Sequence, residues 1–204
     1  DPLFFISLYK AKEIAVTSNE TLNFIPRSLR YKTKTFRSMG LSQIKRKKAE
    51  IINIKKILFV GKFVYWKGAK LALLAFSEAL KKDNSLTLTF IGKGPEENYL
   101  KKISMDLGIS KKITWIHWID QDKLVDTYGD YGIFLFPSLH DSGGLVCLEA
   151  MASGLPIVCL NIGGPGRLIE KSFGISVNPY EKGIRKIIKN LSLAILHYSS
   201  SLSE

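Results

Sequence analysis

From Ile51 onward the apolar positions alternate between two spacings. Ile57–Val60 is an apolar run of buried-strand type, and Leu86–Ile91, Ile113–Ile116, Ile133–Phe136, Ile157–Leu160 and Gly174–Val177 read as further strands. Between them the pattern turns helical: Leu73, Phe76 and Leu80 share one face of a helix over Ala69–Lys82. Pro95 suits the first turn of a second helix that ends near Gly108. Further helices are predicted near Asp122–Tyr128, over 145–153, after Gly163-Gly164-Pro165-Gly166, and as an amphipathic closing segment over Glu181–Tyr198. Ahead of this region Glu13–Ser18 reads as a short strand, and Asn19-Glu20-Thr21 opens a capped segment. Residues 22–50 are polar and basic with weak periodicity, and read as a connector ending in Lys45-Arg46-Lys47-Lys48.

Repeated strand–helix alternation with apolar strands predicts an α/β layer fold with a parallel sheet. Ligands of such sheets sit at the carboxyl ends of the strands. That is where Gly61, Gly92, Gly94, Gly143, Gly144, Gly163 and Gly164 fall.

Composition narrows this only a little. The 204 residues suffice for one full domain and an incomplete piece, and 46% of them are hydrophobic. No run is long and apolar enough for a membrane span, and the start, Asp1-Pro2-Leu3-Phe4, has no basic leader and reads as a cut inside a longer protein. The net charge of +12 admits nucleic acid, an anionic membrane surface or a phosphorylated ligand, or simply a solvated basic face. Cys147 and Cys159 lie in apolar contexts and read as small buried hydrophobes of a reducing compartment; no Cys/His spacing resembles a metal site.

The chemistry-bearing residues sit in loops and at the start of one helix. Gly61-Lys62-Phe63-Val64-Tyr65-Trp66-Lys67-Gly68 links a strand to a helix and offers two ammonium groups that suit a diphosphate; the competing reading is an ordinary loop with solvated lysines. Pro137–Pro156 reads as a strand end, a glycine turn, a helix and a second strand. Its helix N-terminal amides, near Leu145 and Val146, form an anion cradle. Asp141 stands at the turn and Glu149 just over one helical turn inside, where a carboxylate can accept both hydroxyls of a ribose. The competing readings are a turn or N-cap residue for Asp141 and a solvent-facing helix residue for Glu149. A hydroxyl-rich ligand carrying phosphate, such as a nucleotide sugar, fits the combination. His117 and His140 lack a carboxylate at triad spacing, which disfavours Ser–His chemistry. Tyr65, Trp66, Trp115 and Trp118 read as core or rim rather than as a base-stacking platform.

In order along the chain, these pieces resemble the retaining glycosyltransferases of the GT-B type, family 4. Val60-Gly61-Lys62 with Lys67-Gly68 is similar to the family's G-[RK]…K-G loop, and Phe90-Ile91-Gly92-Lys93-Gly94-Pro95 to its G-x-G-P turn. Trp115-Ile116-His117-Trp118 resembles F-L-G-W, and Pro137-Ser138 with Glu149-Ala150-Met151-Ala152-Ser153-Gly154-Leu155-Pro156 resembles P-S…E-A-M-A-x-G-x-P. The resemblance covers Ile51 to the C-terminus and, weakly, Glu13–Ser42. It implies a Rossmann-like parallel sheet with helices on both faces, the C-terminal half of a GT-B fold, over 46–204. Residues 1–45 would be the tail of an N-terminal acceptor domain plus the basic connector.

The resemblance also implies roles. Lys62, Lys67, Asp141 and Glu149 would be catalytic: the lysines, with Gly61, stabilise a diphosphate leaving group, and Glu149 holds the ribose. Gly143, Gly144, Leu145 and Val146 would contact the donor sugar or phosphate beside Asp141, and Ile116, His117 and Ile119 would edge the base pocket. No cofactor or metal is implied, since lysines do the electrostatic work and no Asp-x-Asp motif occurs; the nucleotide-diphosphate sugar is the donor substrate. The partners implied are that donor and a glycan or lipid-linked acceptor, not nucleic acid. The implied location is cytoplasmic, with the basic excess suiting peripheral contact at the inner membrane face. Without its acceptor half the chain would be inactive. Lys62 stands where arginine is usual, which keeps the charge and loses bidentate geometry. His117 replaces a glycine, Asp141 replaces the first glutamate of E-x7-E, and Ser142-Gly143-Gly144 replaces G-F-G. The rival readings are a GT-B nucleotide-sugar epimerase and a non-catalytic nucleotide- or nucleic-acid-binding module.

Overall fold

In the computed structural model, which describes residues 2–16, 19–35, 53–169 and 173–200, the chain divides into two units, 1–40 and 41–204. The boundary expected at 45/46 lies outside the described residues, as does the basic run 45–48. The first unit contains helix α1 (Pro2–Lys10), strand β1 (Ile14–Val16), helix α2 (Asn19–Phe24), a 3-10 turn (Arg27–Lys32) and strand β2 (Thr33–Thr35). The two strands are parallel, with Ile14 opposite Thr33 and Val16 opposite Thr35. Leu8, Ile14, Val16, Ile25 and Leu29 make its small core.

Two expectations change here. Helix α1 was not foreseen, and residues 22–35 are not a connector. Two of the basic residues that gave this segment its linker character, Arg30 and Lys32, instead donate to carbonyls at helix carboxyl ends. Lys32 Nζ donates to the carbonyls of Tyr9 and Ala11 at 2.9 and 2.7 Å, closing α1. Arg30 donates from Nε to Ile25 O and from an Nη to Asn23 O at the end of α2. Orphan carbonyls at a helix end favour this kind of cationic donor.

The second unit carries the expected α/β alternation: β3 (Lys56–Val60), α3 (Ala69–Leu80), β4 (Thr87–Ile91), α4 (Glu97–Asp106), β5 (Ile113–Ile116), α5 (Gln121–Tyr128), β6 (Ile133–Phe136), α6 (Leu145–Ala152), β7 (Ile157–Leu160), α7 (Gly163–Leu168), β8 (Gly174–Val177) and α8 (Ile184–Ser200). All pairings are parallel, in the order β5-β4-β3-β6-β7-β8. Every residue of β6 and β7 is buried, as a sheet covered on both faces requires. Helix α8 packs on α3, and α6 packs on β6 and β7 beside α5. Right-handed crossovers running outward in opposite directions from the β3–β6 pair put α3 and α6 on opposite faces. The closing helix begins at Ile184, not Glu181, because Asn178 Oδ1 accepts the Tyr180 N–H in a side-chain turn and Gly183 is left-handed, at φ 88°.

An aromatic cluster ties the loop after β3 to the sheet. Phe90 and Trp115 are register partners with rings stacked 4.7 Å apart, and Phe63 meets both edge-on. Phe63, just beyond the strand, is 1% exposed, whereas Tyr65 two residues on is 72% exposed. Removing the Phe63 ring leaves a cavity, while Tyr65 has little to lose. Urea unfolding of the chain is expected to show a loss of about 3–5 kcal/mol for Phe63→Ala. Tyr65→Ala is expected to stay within about 0.5 kcal/mol. Equal losses for the two would contradict the anchoring role of Phe63.

Candidate functional site

Strand order reverses between β3 and β6: β4 and β5 lie on one side of this pair, β7 and β8 on the other. The connections therefore leave the carboxyl ends of β3 and β6 toward opposite faces and open a crevice between them. Two of the loops singled out in the sequence, 61–68 and 137–144, leave from these two strands.

The loops are stitched to each other. The carbonyl of Trp66 accepts Leu139 N at 2.8 Å, His140 N at 3.2 Å and Ser138 Oγ at 2.9 Å. Gly68, at φ 74°, opens α3 so close to the other loop that a Cβ there would stand 2.0 Å from the Pro137 carbonyl oxygen. The loop after β4 joins from the other side, with Phe63 N donating to Lys93 O and Glu96 N to Phe63 O. Trp66 and Trp118 are exposed like Tyr65, so three of the four aromatics form a rim and Trp115 packs against the core.

Asp141 lies where these loops meet. Its Oδ2 accepts Lys67 Nζ at 2.5 Å, and its Oδ1 accepts the N–H groups of Gly143 and Gly144 at 3.1 and 2.6 Å. Its carbonyl accepts Gly164 N at 2.7 Å, from the start of α7. Burial works to raise the pKa of this carboxyl, but the Lys67 ammonium and the two amides outweigh it and hold the group below the usual carboxylate range. Asp141 is thus the turn-capping residue of the competing reading, and it is also the ion-pair partner of Lys67. The amides of Gly143 and Gly144, expected to face a ligand, are occupied by it. The first-turn amides of Leu145 and Val146 have no acceptor inside α6.

Glu149, in the second turn of α6, is 5% exposed and not a solvent-facing residue. Its Oε1 accepts Gln121 Nε2 at 2.7 Å, and its Oε2 accepts the Tyr128 hydroxyl at 3.0 Å. Burial, reinforced by the Glu149 charge, pushes the Tyr128 phenol well above its ordinary pKa and keeps it a donor. Sequence reasoning missed both partners. The sequence carried part of the signal: positions 121 and 128 are seven apart on one helix and so share a face, but nothing in it says that this face meets Glu149.

The other candidates are dispersed. Lys62 is exposed and joins none of the ion pairs found among the described residues. Ile116 ends β5, its carbonyl accepting Gly92 N at 2.9 Å, and Ile119 packs against the core. His117 is exposed, with Nδ1 3.4 Å from Glu97 Oε2. Cys147 and Cys159 are free and buried; burial pushes the first thiol far up and the second to about 12. A groove of about 550 Å³ lies on the α3–α8 face, lined by Leu74, Ile188, Leu193 and Leu196 among others, and includes none of the glycine loops. Among the described residues no helix is long and apolar enough to cross a membrane, and no three His, Cys, Asp or Glu gather as a metal site would need.

Residues 42–197 match the family model described as glycosyl transferases group 1. The chain belongs to this family. Among curated proteins it is 33% identical, over 126 residues, to an uncharacterised glycosyltransferase of Methanocaldococcus jannaschii, a match covering 61% of the chain and 32% of that protein. It is 30% identical, over 141 residues, to the D-inositol 3-phosphate glycosyltransferase of Corynebacterium efficiens, covering 65% of the chain and 33% of the relative. The chain thus spans about a third of the length of these group 1 relatives. Among solved structures, the pneumococcal O-GlcNAc transferase GtfA in complex with UDP and GlcNAc superposes with a TM-score of 0.79 at 18% identity, covering 94% of this chain and 39% of that one. The α/β unit is accordingly the Rossmann-like sheet of the GT-B fold.

The Asp141 carboxyl gives the group 1 domain a defined acid sensitivity. Its folded pKa lies below the unfolded value of about 3.9, so its stabilisation is complete above about pH 4 and is lost as pH falls through the lower folded value. Asp141→Asn is expected to cost about 1–3 kcal/mol at pH 7, read by urea unfolding, and the gap from the parent should narrow below pH 4. A gap that is constant from pH 7 to pH 3 would contradict the ionised pair.

Proposed function

We propose that the chain is the donor-binding part of a family 4 glycosyltransferase that transfers a sugar from a nucleotide diphosphate with retention of anomeric configuration, in glycan or polysaccharide synthesis. The observation that carries this reading is the placement of Lys67 at the crevice between β3 and β6, held by Asp141, with the N-terminus of α6 alongside. Cleaving the bond between sugar and diphosphate puts negative charge on the diphosphate and positive charge on the ring. In this proposal Lys67 and Lys62 meet the first charge, the Leu145 and Val146 amides add to it, and Glu149 orients the ribose. Losing one such preorganised donor raises a barrier by about 3–4 kcal/mol.

The ion pair gives Lys67 two partners in turn. In the free chain Asp141 keeps the ammonium in place. An incoming diphosphate brings more negative charge, so Lys67 can turn to it while Asp141 stays bonded to the two glycine amides and is available to a sugar hydroxyl. No metal enters this scheme. The UDP and GlcNAc bound to the pneumococcal structural relative are of the ligand class the reading requires. A lipid-linked or glycan acceptor, contact with an anionic membrane face and a second domain that supplies the acceptor site belong to the same proposal, and the shorter span relative to the curated proteins supports the last.

Calorimetric titration of the chain with UDP, GDP and ADP tests it. One of the three should bind, and Lys67→Ala and Glu149→Ala should each weaken that binding by roughly tenfold to a hundredfold, the worth of a hydrogen bond to a charged group. Absence of binding by all three, or binding indifferent to both substitutions, would refute the proposal.

A further inference from the structure

The two oxygens of Glu149 are held in unequal ways. Oε2 is bonded to Tyr128, whose side chain is wholly buried and packed with its ring edge against Phe134, 5.7 Å between centroids. Oε1 is bonded to Gln121, an exposed residue that begins α5 immediately after the segment 116–120. A buried carboxylate must be hydrogen-bonded or its burial is costly. Tyr128 has no route to water, so its bond is permanent while the fold lasts. Gln121 can swing into solvent at little cost, and an arriving hydroxyl would make the same kind of bond to the carboxylate that the amide gives up.

We propose that Tyr128 is the positioning residue that fixes the Glu149 carboxylate, and that Gln121 guards Oε1, the oxygen this carboxylate presents to a ribose. The inference rests on the nucleotide reading above. It divides the site into a fixed part and an exchangeable part. The Tyr128 hydroxyl sets the direction of the carboxylate from beneath, out of reach of ligand. The Gln121 amide satisfies the outward oxygen until a ribose hydroxyl replaces it, so the free chain never leaves a buried charge unpaired.

The test is calorimetry on the full chain with the nucleoside diphosphate it binds among UDP, GDP and ADP, and with inorganic pyrophosphate as a ribose-free probe. Tyr128→Phe keeps the ring and removes one oxygen. It is expected to weaken nucleoside diphosphate binding by roughly tenfold and to leave pyrophosphate binding unchanged. Gln121→Ala removes the competing donor and is expected to tighten nucleoside diphosphate binding by roughly threefold. A Tyr128→Phe affinity equal to the parent's, an equal loss for pyrophosphate, or a weaker Gln121→Ala variant would overturn the inference. Should Tyr128→Phe not fold by circular dichroism, the exposed Gln121 position decides alone, tightening supporting the assignment and weakening removing it. The failures are separable. If the parent chain binds no nucleotide, the functional reading falls and takes this inference with it. If it binds and Glu149→Ala weakens binding while Tyr128→Phe does not, only the positioning role falls.

Discussion

The carbonyl oxygen of Trp66 is the joint on which the crevice depends. Three donors from the loop after β6 converge on it, and the Gly68 backbone comes so close to Pro137 that no side chain fits between them. Because β3 and β6 are the strands between which the strand order reverses, their loops leave toward opposite faces, and without this joint little would hold them together. Phe63, sunk among Phe90 and Trp115, pins the other end of the same loop. Between these two fixed points Lys67 has little freedom to miss Asp141. The close-packed backbone is thus what turns the carboxyl ends of two central strands into a defined electrostatic site.

Charge in this chain works locally. The excess of basic residues looks, as a total, like a surface waiting for a polyanion. In the fold many of the lysines and arginines have particular partners: Arg30 and Lys32 close helices, Lys34 pairs with Glu13, Lys55 with Asp83, and Lys67 with Asp141. The Lys55 pair holds the Asp83 carboxyl down to about 2, with Ser85 adding its own bonds. The Lys67 pair is the more buried and is also bonded to the Gly143 and Gly144 backbone, which places it in a framework that a ligand's charge can compete with.

Much of the second unit was legible in the sequence, because apolar runs of strand type and helical faces alternate without ambiguity from Ile57 to Val177. Strand order was not, since periodicity says nothing of neighbours. The first unit was misread for a physical reason: Arg30 and Lys32 look solvated in a sequence, and only the fold shows them bonded to helix carbonyls. The site divides in the same way. The positions of Lys67, Asp141 and Glu149 on a loop, a turn and a helix were readable from glycine spacing. That Asp141 would do both, capping the Gly143 and Gly144 amides while pairing with Lys67 from another loop, was not, because spacing along the chain does not say which loops meet. Nor was the burial of Glu149, which depends on Tyr128 from a different helix.

We propose that the crevice between β3 and β6 of this group 1 domain receives a nucleoside diphosphate. A crystal structure of the chain with UDP, GDP or ADP bound is the decisive measurement. Phosphate oxygens are expected within hydrogen-bonding distance of Lys67 Nζ and a ribose hydroxyl on Glu149 Oε1, with Gln121 turned away. Nucleotide density on the α3–α8 groove, or elsewhere with the Lys67–Asp141 pair and the Gln121–Glu149 bond intact, would contradict it.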